Sequence, residues 1–407
     1  MYLVGTEGDD LLVGGADADT LVGLGGDDTL QGGEGDDLLM GGPGTDILDG
    51  GAGNDTVSYE DAEPAGMFGF LLVNLLGQYA SMIGPNGGLL DTLVSIENAI
   101  GSSGADWLVG TAGDNHLSGG DGADTIEGKG GADVLDGGDG NDLIVTGGIF
   151  GAAAPGSLLI GGNGDDALQS GNSNDTMLGG AGNDTFSVGN DATMRVVDGG
   201  DGTDLLAFSS GFSAGVTVDL SLTSQTIAPG VALTLTSVEN LNGTEAGDTL
   251  IGDANANIIY GWGGDDAIYG GAGNDGINGV EGADYIVGGA GQDGLRGGDG
   301  ADTFVFAAGD SDASAPDTIN DLTAEDHILF TDGPAGDASN YAELETVDML
   351  AVDILFAGEG VRYVAMAVGG GVMLFADTGA EDATYDQVVL LAGANLSAID
   401  ASSILGL

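Results

Sequence analysis

Large apolar residues recur every nine positions along most of this chain. Six phrases run without a break from Gly5 to Ser58, namely GTEGDDLLV, GGADADTLV, GLGGDDTLQ, GGEGDDLLM, GGPGTDILD and GGAGNDTVS. Each phrase joins a glycine-rich half, closed by an acid at position six, to three strand-like residues with an apolar residue at position eight. One such strand cannot bury its inward side chain, but two phrases form a flattened coil, and coils stacked ~4.8 Å apart share a core. The pattern predicts an all-β fold, a parallel β-roll.

The aspartates at position six are candidate calcium ligands. Ca²⁺ takes about six to eight oxygen ligands at ~2.3–2.6 Å, and glycine tolerates the positive φ that lets a turn aim its carbonyl oxygens at one point. A coil holds two phrases, so each turn meets its equivalent 18 residues later. Asp10 is therefore expected to share an ion with Asp28, and Asp28 another with Asp46. The candidate ligands are Asp10, Asp19, Asp28, Asp37, Asp46, Asp55, Asp106, Asp124, Asp133, Asp142, Asp166, Asp175, Asp184, Asp204, Asp248, Asp266, Asp275, Asp284, Asp293 and Asp302.

A repeat rich in glycine and acid could also be a disordered linker. The residue at position eight argues against that reading because it never loses phase in the first six phrases: Leu12, Leu21, Leu30, Leu39, Leu48 and Val57. Over roughly residues 5–305 the phrase resembles the G-G-x-G-x-D-x-U-x nonapeptide of the RTX family of type I-secreted bacterial proteins. The resemblance implies several Ca²⁺ ions as cofactors, the type I secretion machinery as a partner, and a secreted or cell-surface location.

Composition agrees with a calcium-dependent fold. Lys and Arg number 4 and Asp and Glu 66, a formal charge of −62, which argues against nucleic acid and anionic membranes as partners. One ion per stacked pair of turns gives on the order of 12–15 ions. Folding and metal binding are then expected to be one event. The chain has no cysteine, which fits an oxidising space outside the cell, and no transmembrane segment or N-terminal signal peptide is expected.

The repeats fall into three blocks. The predicted organisation is a first roll block (1–58), a β insert (59–100), a second roll block (101–207), a second β insert (208–242), a third roll block (243–305) and a C-terminal cap with a secretion signal (306–407). The inserts are interpreted either as β-arms packed against the roll or as oversized turns within it. The tail from Leu390 is interpreted as the signal, with a plain helical C-terminus as the alternative.

The second block has two unequal edges. Its odd-numbered turns keep an unbroken series of aspartates, whereas its even-numbered turns, which we call the even edge, carry Asn115, Asp133 and Asp175 with modified turns beginning at Thr146 and Val188. The even edge is expected to lose its calcium ladder, through neutral drift or as a docking surface. Asn257 is the weak member of the third block.

Two regions suggest further surfaces and cores. Tyr260, Trp262, Tyr269 and Tyr285 predict an aromatic strip in the third block, which could bind a sugar or a partner or lie under an insert. The cap is expected to bury Met349, Leu350, Ile354, Phe356, Val364, Met366, Met373 and Phe375.

No catalytic constellation is present in the sequence. His116 and His327 are the two histidines, and neither lies in a zinc motif. There is no G-x-S-x-G sequence and no thiol. The predicted function is a structural or interaction role at the cell surface or in an extracellular matrix, with a homo-oligomer or filament formed through an uncapped first coil. The alternatives are a polysaccharide-acting enzyme, whose groove the inserts would build, and an accessory module for secretion.

Overall fold

The structure is a computed structural model that describes residues 1–62, 70–83, 90–147, 156–171, 174–190, 194–209, 211–307, 309–311, 315–331, 341–344, 363–368, 371–376, 387–394 and 404–406. The chain divides into two compact units. The first comprises Met1–Leu206 and Val231–Val238, and the second comprises Ala207–Gly230 and Glu239–Leu407. Every regular element in these described ranges is a β-strand, and they contain no helix that could cross a membrane.

The strands are short, most of them three or six residues long. In chain order they are β1 (Tyr2–Val4), β2 (Leu11–Val13), β3 (Thr20–Val22), β4 (Thr29–Glu34), β5 (Leu38–Met40), β6 (Ile47–Ala52), β7 (Thr56–Ser58), β8 (Phe70–Asn74), β9 (Tyr79–Ile83), β10 (Leu90–Val94), β11 (Asn98–Ile100), β12 (Asp106–Val109), β13 (His116–Asp121), β14 (Thr125–Glu127), β15 (Val134–Asp139), β16 (Leu143–Val145), β17 (Leu158–Asn163), β18 (Ala167–Gln169), β19 (Thr176–Ala181), β20 (Thr185–Val188), β21 (Met194–Asp201), β22 (Leu205–Phe208), β23 (Thr217–Asp219), β24 (Ser224–Ala228), β25 (Val231–Thr236), β26 (Asn240–Asn242), β27 (Thr249–Ile251), β28 (Ile258–Gly263), β29 (Ala267–Ala272), β30 (Gly276–Glu281), β31 (Tyr285–Ala290), β32 (Gly294–Asp299), β33 (Thr303–Phe306), β34 (Asp317–Ile319), β35 (His327–Phe330), β36 (Tyr341–Leu344), β37 (Tyr363–Val368), β38 (Gly371–Ala376), β39 (Gln387–Ala392) and β40 (Ile404–Gly406).

Apart from β8, β9 and β10, which lie in one sheet, successive strands of the first unit alternate between two sheets. One sheet runs β1, β3, β5, β7, β11, β13, β15, β17, β19, β21 and β25, all parallel. The other runs β2, β4, β6, β10, β9, β8, β12, β14, β16, β18 and β20, parallel except around β9. Leu12 pairs with Leu30, and Leu30 pairs with Leu48, a register of one coil. The predicted parallel β-roll is confirmed.

The second unit has the same construction. One sheet runs β23, β27, β29, β31, β33, β35 and β40, and all of its strands are parallel. The other begins with the parallel strands β26, β28, β30, β32, β34 and β39. It then continues through the antiparallel strands β38 and β37 to β36. The roll in this unit therefore ends in an antiparallel meander.

The residues at position eight form the core of both rolls. Leu21, Leu48, Ile126 and Ile268 have no exposed surface, because position eight is the inward residue of each three-residue strand. Full burial of one such side chain stabilises the fold by ~1.5–3 kcal/mol. Leu12 is the exception in the first block, since it is half-buried.

Glycine is required at two places in the turns. Gly33 at position two and Gly35 at position four have φ values of 114° and 116°, a region that side chains other than glycine rarely adopt. Leu24, Trp262 and Val280 nevertheless occupy position two with φ values of 79°, 76° and 86°. These three residues place a side chain where the turn favours none.

The first insert lies within a sheet. Its strand β10 pairs in parallel with β6, β8 pairs in parallel with β12, and β9 runs antiparallel between them. In the other sheet β11 joins β7 to β13. The insert therefore continues the stack with its own strands. Of the second insert, β25 pairs with β21 in the first unit, and β23 and β26 pair with β27 and β28 in the second.

Parallel pairing continues beyond Val305. β34 pairs with β32 and β35 with β33, so another coil is added after the last recognisable nonapeptide. Of the expected cap core, Val364, Met366 and Phe375 are buried and Met373 is half-buried. Met349, Leu350, Ile354 and Phe356 lie outside the described residues, as does most of the tail after Ala394.

Candidate metal centre

Most position-six aspartates accept a hydrogen bond from the coil that precedes them. The backbone N–H of Asp10 donates to Oδ1 of Asp28 at 2.8 Å, and the N–H of Asp28 donates to Oδ1 of Asp46 at 2.8 Å. The same bond joins Asp124 to Asp142 at 2.7 Å. One carboxylate oxygen per turn is thereby assigned to the backbone. The sequence predicted only that these residues would meet across an ion, so this ladder is an addition to that prediction.

The second carboxylate oxygen of most of these aspartates is buried without a hydrogen-bond partner. Among the described residues this holds for Oδ2 of every candidate ligand except Asp10, Asp19, Asp106, Asp175, Asp204 and Asp248. A buried charge that lacks a partner is costly. These oxygen atoms are therefore the ones for which a cation is needed.

A recess lined with oxygen lies beside most of these atoms. A methyl group added to Gly23, at position one, would lie 2.2 Å from Oδ2 of Asp28 and 2.5 Å from the carbonyl oxygen of Gly41 in the next coil. Gly119 shows the same arrangement, with 2.1 Å to Oδ2 of Asp124 and 2.7 Å to the carbonyl oxygen of Gly137. Oxygens from two stacked turns thus converge on one point, and glycine at position one leaves that point accessible.

Burial and mutual repulsion act on these carboxyl groups together. Burial raises the pKa of Asp124 to about 8, the hydrogen bond from the N–H of Asp106 opposes the rise, and the charges of Asp106 and Asp142 add to it. Burial likewise raises the pKa of Asp266 to about 7 and that of Asp302 to about 6. A cation beside each carboxylate would favour its ionised form and reverse these shifts.

The donor set fits a hard cation. In the described part of the chain no three His, Asp or Glu side chains converge as a metal cluster, so side chains alone do not make a site. The recesses instead combine carboxylate and carbonyl oxygens, which are the ligands that Ca²⁺ prefers. Bound there, calcium would supply positive charge between coils whose aspartates repel.

The first aspartate of each repeat block departs from the pattern. Oδ2 of Asp10 accepts hydrogen bonds from the N–H and Oγ1 of Thr6 at 2.6 and 2.8 Å. Oδ2 of Asp248 accepts from the N–H of Thr244 at 2.6 Å, and Oδ2 of Asp106 accepts from the N–H of Ser102. A hydroxyl residue at position two therefore partly satisfies the carboxylate at the start of each block.

Asp19 and Asp175 also have partners within the chain. Oδ2 of Asp19 accepts from the N–H of Gly15 at 2.6 Å, and its Oδ1 contacts the amino group of Met1. Oδ2 of Asp175 accepts from the hydroxyl of Ser170 at 2.8 Å.

Four acids outside the predicted set continue the ladder. Asp91 and Glu97 accept from the N–H groups of Asp46 and Asp55, both at 2.9 Å. Asp317 and Asp326 accept from the N–H groups of Asp293 and Asp302 at 2.8 and 3.0 Å. Asp91, Asp317 and Asp326 each begin a D-x-U-x sequence, DTLV, DTIN and DHIL. This second half of the nonapeptide, without its glycine half, was the signal that could have identified them.

A second ladder runs along position five in the opposite direction. The N–H of Asp27 donates to Oδ1 of Asp9 at 3.0 Å, and the N–H of Thr45 donates to Oδ1 of Asp27 at 3.0 Å. Asn141, Asn183 and Asn274 serve as acceptors at equivalent positions. This ladder is exposed, and it explains why position five often holds Asp or Asn.

Comparison with known families finds the RTX calcium-binding nonapeptide repeat. Its model matches residues 2–30, 22–57, 100–135, 119–148, 158–192, 242–277 and 278–311. A comparison with curated proteins finds no match.

Two solved structures resemble the chain. The AlgE6R3 subunit from the Azotobacter vinelandii mannuronan C5-epimerase is 24% identical over 40% of this chain and 79% of that chain, with a TM-score of 0.25. The extracellular lipase LipA from Serratia marcescens is 15% identical over 99% of this chain and 39% of that chain, with a TM-score of 0.19. This chain thus spans well under half the length of the lipase.

Replacing Asp28 by Asn tests the ladder and the ion separately. The amide oxygen of Asp28→Asn still accepts from the N–H of Asp10, but the charge that faces the recess is lost. We expect the calcium concentration at the folding midpoint to rise by roughly tenfold, measured by circular dichroism during calcium titration. Asp10→Asn is the matched control, because Asp10 lies at the end of the ladder and is bonded to Thr6. Equal shifts in the two variants would contradict sites shared between coils.

The raised pKa values predict how pH acts on the ion-free chain. A carboxyl group whose pKa is higher in the folded state binds more protons there, so the fold without calcium loses stability as pH rises from the ordinary Asp value of 3.8 towards about 8 for Asp124. In calcium-stripped buffer we expect more β-structure at about pH 5 than at about pH 8, measured by circular dichroism. Both pH values lie above the sequence pI of 4.1. With calcium present, the calcium concentration at the folding midpoint should rise as pH falls, because protons compete with calcium for the same carboxylate oxygens. Full β-structure in calcium-stripped buffer at the higher pH would contradict the predicted loss of stability.

Proposed function

Because the chain belongs to the family of proteins with RTX calcium-binding nonapeptide repeats, we propose that it is a secreted structural protein of the bacterial cell surface or extracellular matrix. In this proposal it folds on binding calcium outside the cell and then associates with further copies of itself. The observation that carries the proposal is the row of buried Oδ2 atoms without hydrogen-bond partners along the stacked turns. We propose the aspartates that bear these atoms as the calcium ligands.

Calcium is proposed as the trigger of folding. The formal charge of −62 opposes compaction, and stacking the turns brings carboxylates together. Metal binding then contributes directly to the folding free energy. Such a chain would remain expanded where calcium is scarce and fold where it is abundant, which supports a site of action outside the cell.

Self-association is supported by the first coil. Tyr2 and Val4 on β1 and Leu11 and Val13 on β2 are all largely exposed, with Leu11 at 67%. The inward residue Leu12 is half-buried, whereas its equivalents further along the stack are fully buried. A strand edge beside incompletely buried apolar residues is a template for pairing with another chain. We propose that a second copy of this chain covers it through a different surface, which would propagate into a filament or lattice.

A role without catalysis is part of the proposal. His116 on β13 and His327 on β35 belong to different units of the chain. In the described ranges no three metal-ligating side chains converge, and most buried aspartates are committed to the ladder.

A charge in the first coil tests the assembly. Leu12→Lys places an ammonium group where a second copy would pack, so we expect the variant to fold with calcium but to stay monomeric. Wild type should form large species under the same conditions, measured by light scattering, with folding followed by circular dichroism. Leu143→Lys is the control, because Leu143 is an exposed residue on a strand inside the stack. A folded, calcium-loaded wild type that stays monomeric at high concentration defeats the assembly model.

Binding of an uncharged polysaccharide is a second candidate function. The sequence predicted one aromatic strip, but the structure divides it. Tyr260 and Trp262 lie on β28, and Tyr269 and Tyr285 lie on strands of the other sheet, with ring centroids 6.1 Å apart. Tyr260 and Trp262 alternate with buried residues and are both exposed, so they share a face.

The surface of β28 that carries Tyr260 and Trp262 is called the β28 face. Polar side chains and a glycine lie beside it on the neighbouring strands. Tyr260 pairs with Asn278, and Asn278 with Arg296, while Ile258 pairs with Gly276 in the neighbouring row. Aromatic rings beside amide and guanidinium donors suit stacking and hydrogen bonding to sugar rings. The acidity of the whole chain favours an uncharged polymer over a polyanion.

Removing the Trp262 ring tests this candidate. Wild type should be retarded in native gels that contain a neutral glucan, and Trp262→Ala should lose most of the retardation. Trp107→Ala is the control, because Trp107 lies in the other unit and is similarly exposed, at 42% against 47%. Absence of retardation for wild type, or equal loss in both variants, would exclude the β28 face as the binding surface.

A further inference from the structure

Three turns of the second block carry a side chain where the others have glycine. Position one is glycine in the phrases that precede and follow, but it is Thr146, Ser170 and Val188 in three consecutive turns of the even edge. A side chain at position one enters the recess beside the carboxylate, as the close approach to Gly119 shows for a regular turn. These three turns therefore differ from the calcium-type turns in shape as well as in charge.

Ser170 fills the recess at its own turn. Its hydroxyl donates to Oδ2 of Asp175 at 2.8 Å, the oxygen that is unpartnered in most equivalent aspartates. Thr146, from the preceding turn of this edge, accepts from the N–H of Gly171 at 2.8 Å. The position that an ion would occupy is thus taken by hydroxyl groups.

The next turn supplies a positive charge to the same place. Arg195 immediately precedes the strand residues VVD, so it stands at position six, where a calcium-type turn has aspartate. Its side chain is buried, with 1% exposed. Nε donates to Oγ of Ser170 at 2.8 Å, while the terminal nitrogens donate to the carbonyl oxygens of Gly171 at 2.7 Å and Gly189 at 2.6 Å. The guanidinium therefore joins two stacked turns through oxygen atoms.

The even edge as a whole has lost most of its negative charge. Its position-six residues are Asn115, Asp133, Ser157, Asp175 and Arg195. Ser157 maintains the ladder without a charge, since its hydroxyl accepts from the N–H of Asp133 at 3.0 Å and its N–H donates to Asp175 at 2.8 Å. The facing odd-numbered turns keep aspartate at every position six, from Asp106 to Asp204. One edge thus needs several cations and the other very few.

We infer that Arg195 is a built-in cation that takes the place of calcium between the stacked turns of Ser170 and Val188. Arginine is permanently charged and presents several N–H donors in a fixed plane, so it can hold carbonyl and hydroxyl oxygens that calcium would otherwise gather. Unlike an ion, it cannot dissociate when calcium falls. This inference deepens the proposed calcium-dependent fold by assigning one part of the stack a calcium-independent clasp.

Neutralising Arg195 is the first test. Arg195→Met keeps an unbranched side chain but removes the charge and the donors, so the oxygens of Ser170, Gly171 and Gly189 lose the hydrogen bonds that they accept from Arg195. At saturating calcium we expect the melting temperature to fall by roughly 5–10 °C, with partial recovery in Arg195→Lys. Arg296→Met is the control, since Arg296 is exposed on β32, and it should melt like wild type. Equal melting of the Arg195→Met and Arg296→Met variants would overturn the inference.

Restoring the calcium-type residues is the second test. The double variant Ser170→Gly, Arg195→Asp reopens the recess and supplies the missing carboxylate, so we expect it to bind one more Ca²⁺ per chain than wild type, counted by equilibrium dialysis of the full chain. An unchanged count, or a double variant that calcium does not fold, would overturn the inference. Failure of the calcium-dependent fold itself is distinguishable, because wild type would then show no change when calcium is removed.

Discussion

Repulsion between carboxylates buried in neighbouring coils is the constraint on which this structure depends. Stacking places an aspartate over its equivalent in the next coil, and each apolar strand contributes only one inward side chain to the core. The ladder bonds, such as the one from Asp28 to Asp46, satisfy one oxygen of each carboxylate. The other oxygen needs a positive charge or a hydrogen-bond donor. Metal, hydroxyl group and guanidinium are alternative answers to the same electrostatic requirement.

Much of the fold could be predicted because the period is short and local. The strand, its inward residue and the acid all lie within nine residues, so the positions of Leu30 and of the acid Asp28 are fixed by the same phrase. Pairing of identical phrases then leaves one plausible register, as the contact between Leu12 and Leu30 shows. The predicted sharing of ions between such residues as Asp10 and Asp28 stays a prediction.

The remaining features depend on stretches where the phrase is incomplete. Asp91 and Asp317 join the ladder without the regular glycine half of the nonapeptide before them, so their place follows only from strand pairing across a longer connection. Arg195 was visible in the sequence merely as a gap in a series of aspartates. Its role required the burial of the guanidinium and its three bonds, which no spacing rule supplies. The single aromatic strip was wrong because neighbouring strands alternate between sheets.

The lengthened turns show that the two edges of a roll can vary independently. Asp142 and Asp166 are 24 residues apart because a longer connection lies between them, yet their ladder bond is 2.8 Å, the same as between Asp10 and Asp28 at a separation of 18. Extra residues on one edge therefore leave the ladder of carboxylates on the other edge unchanged. A roll of this kind can acquire loops of new sequence along one margin, as an immunoglobulin domain does at one end of its sandwich, while the opposite margin continues to hold the stack together.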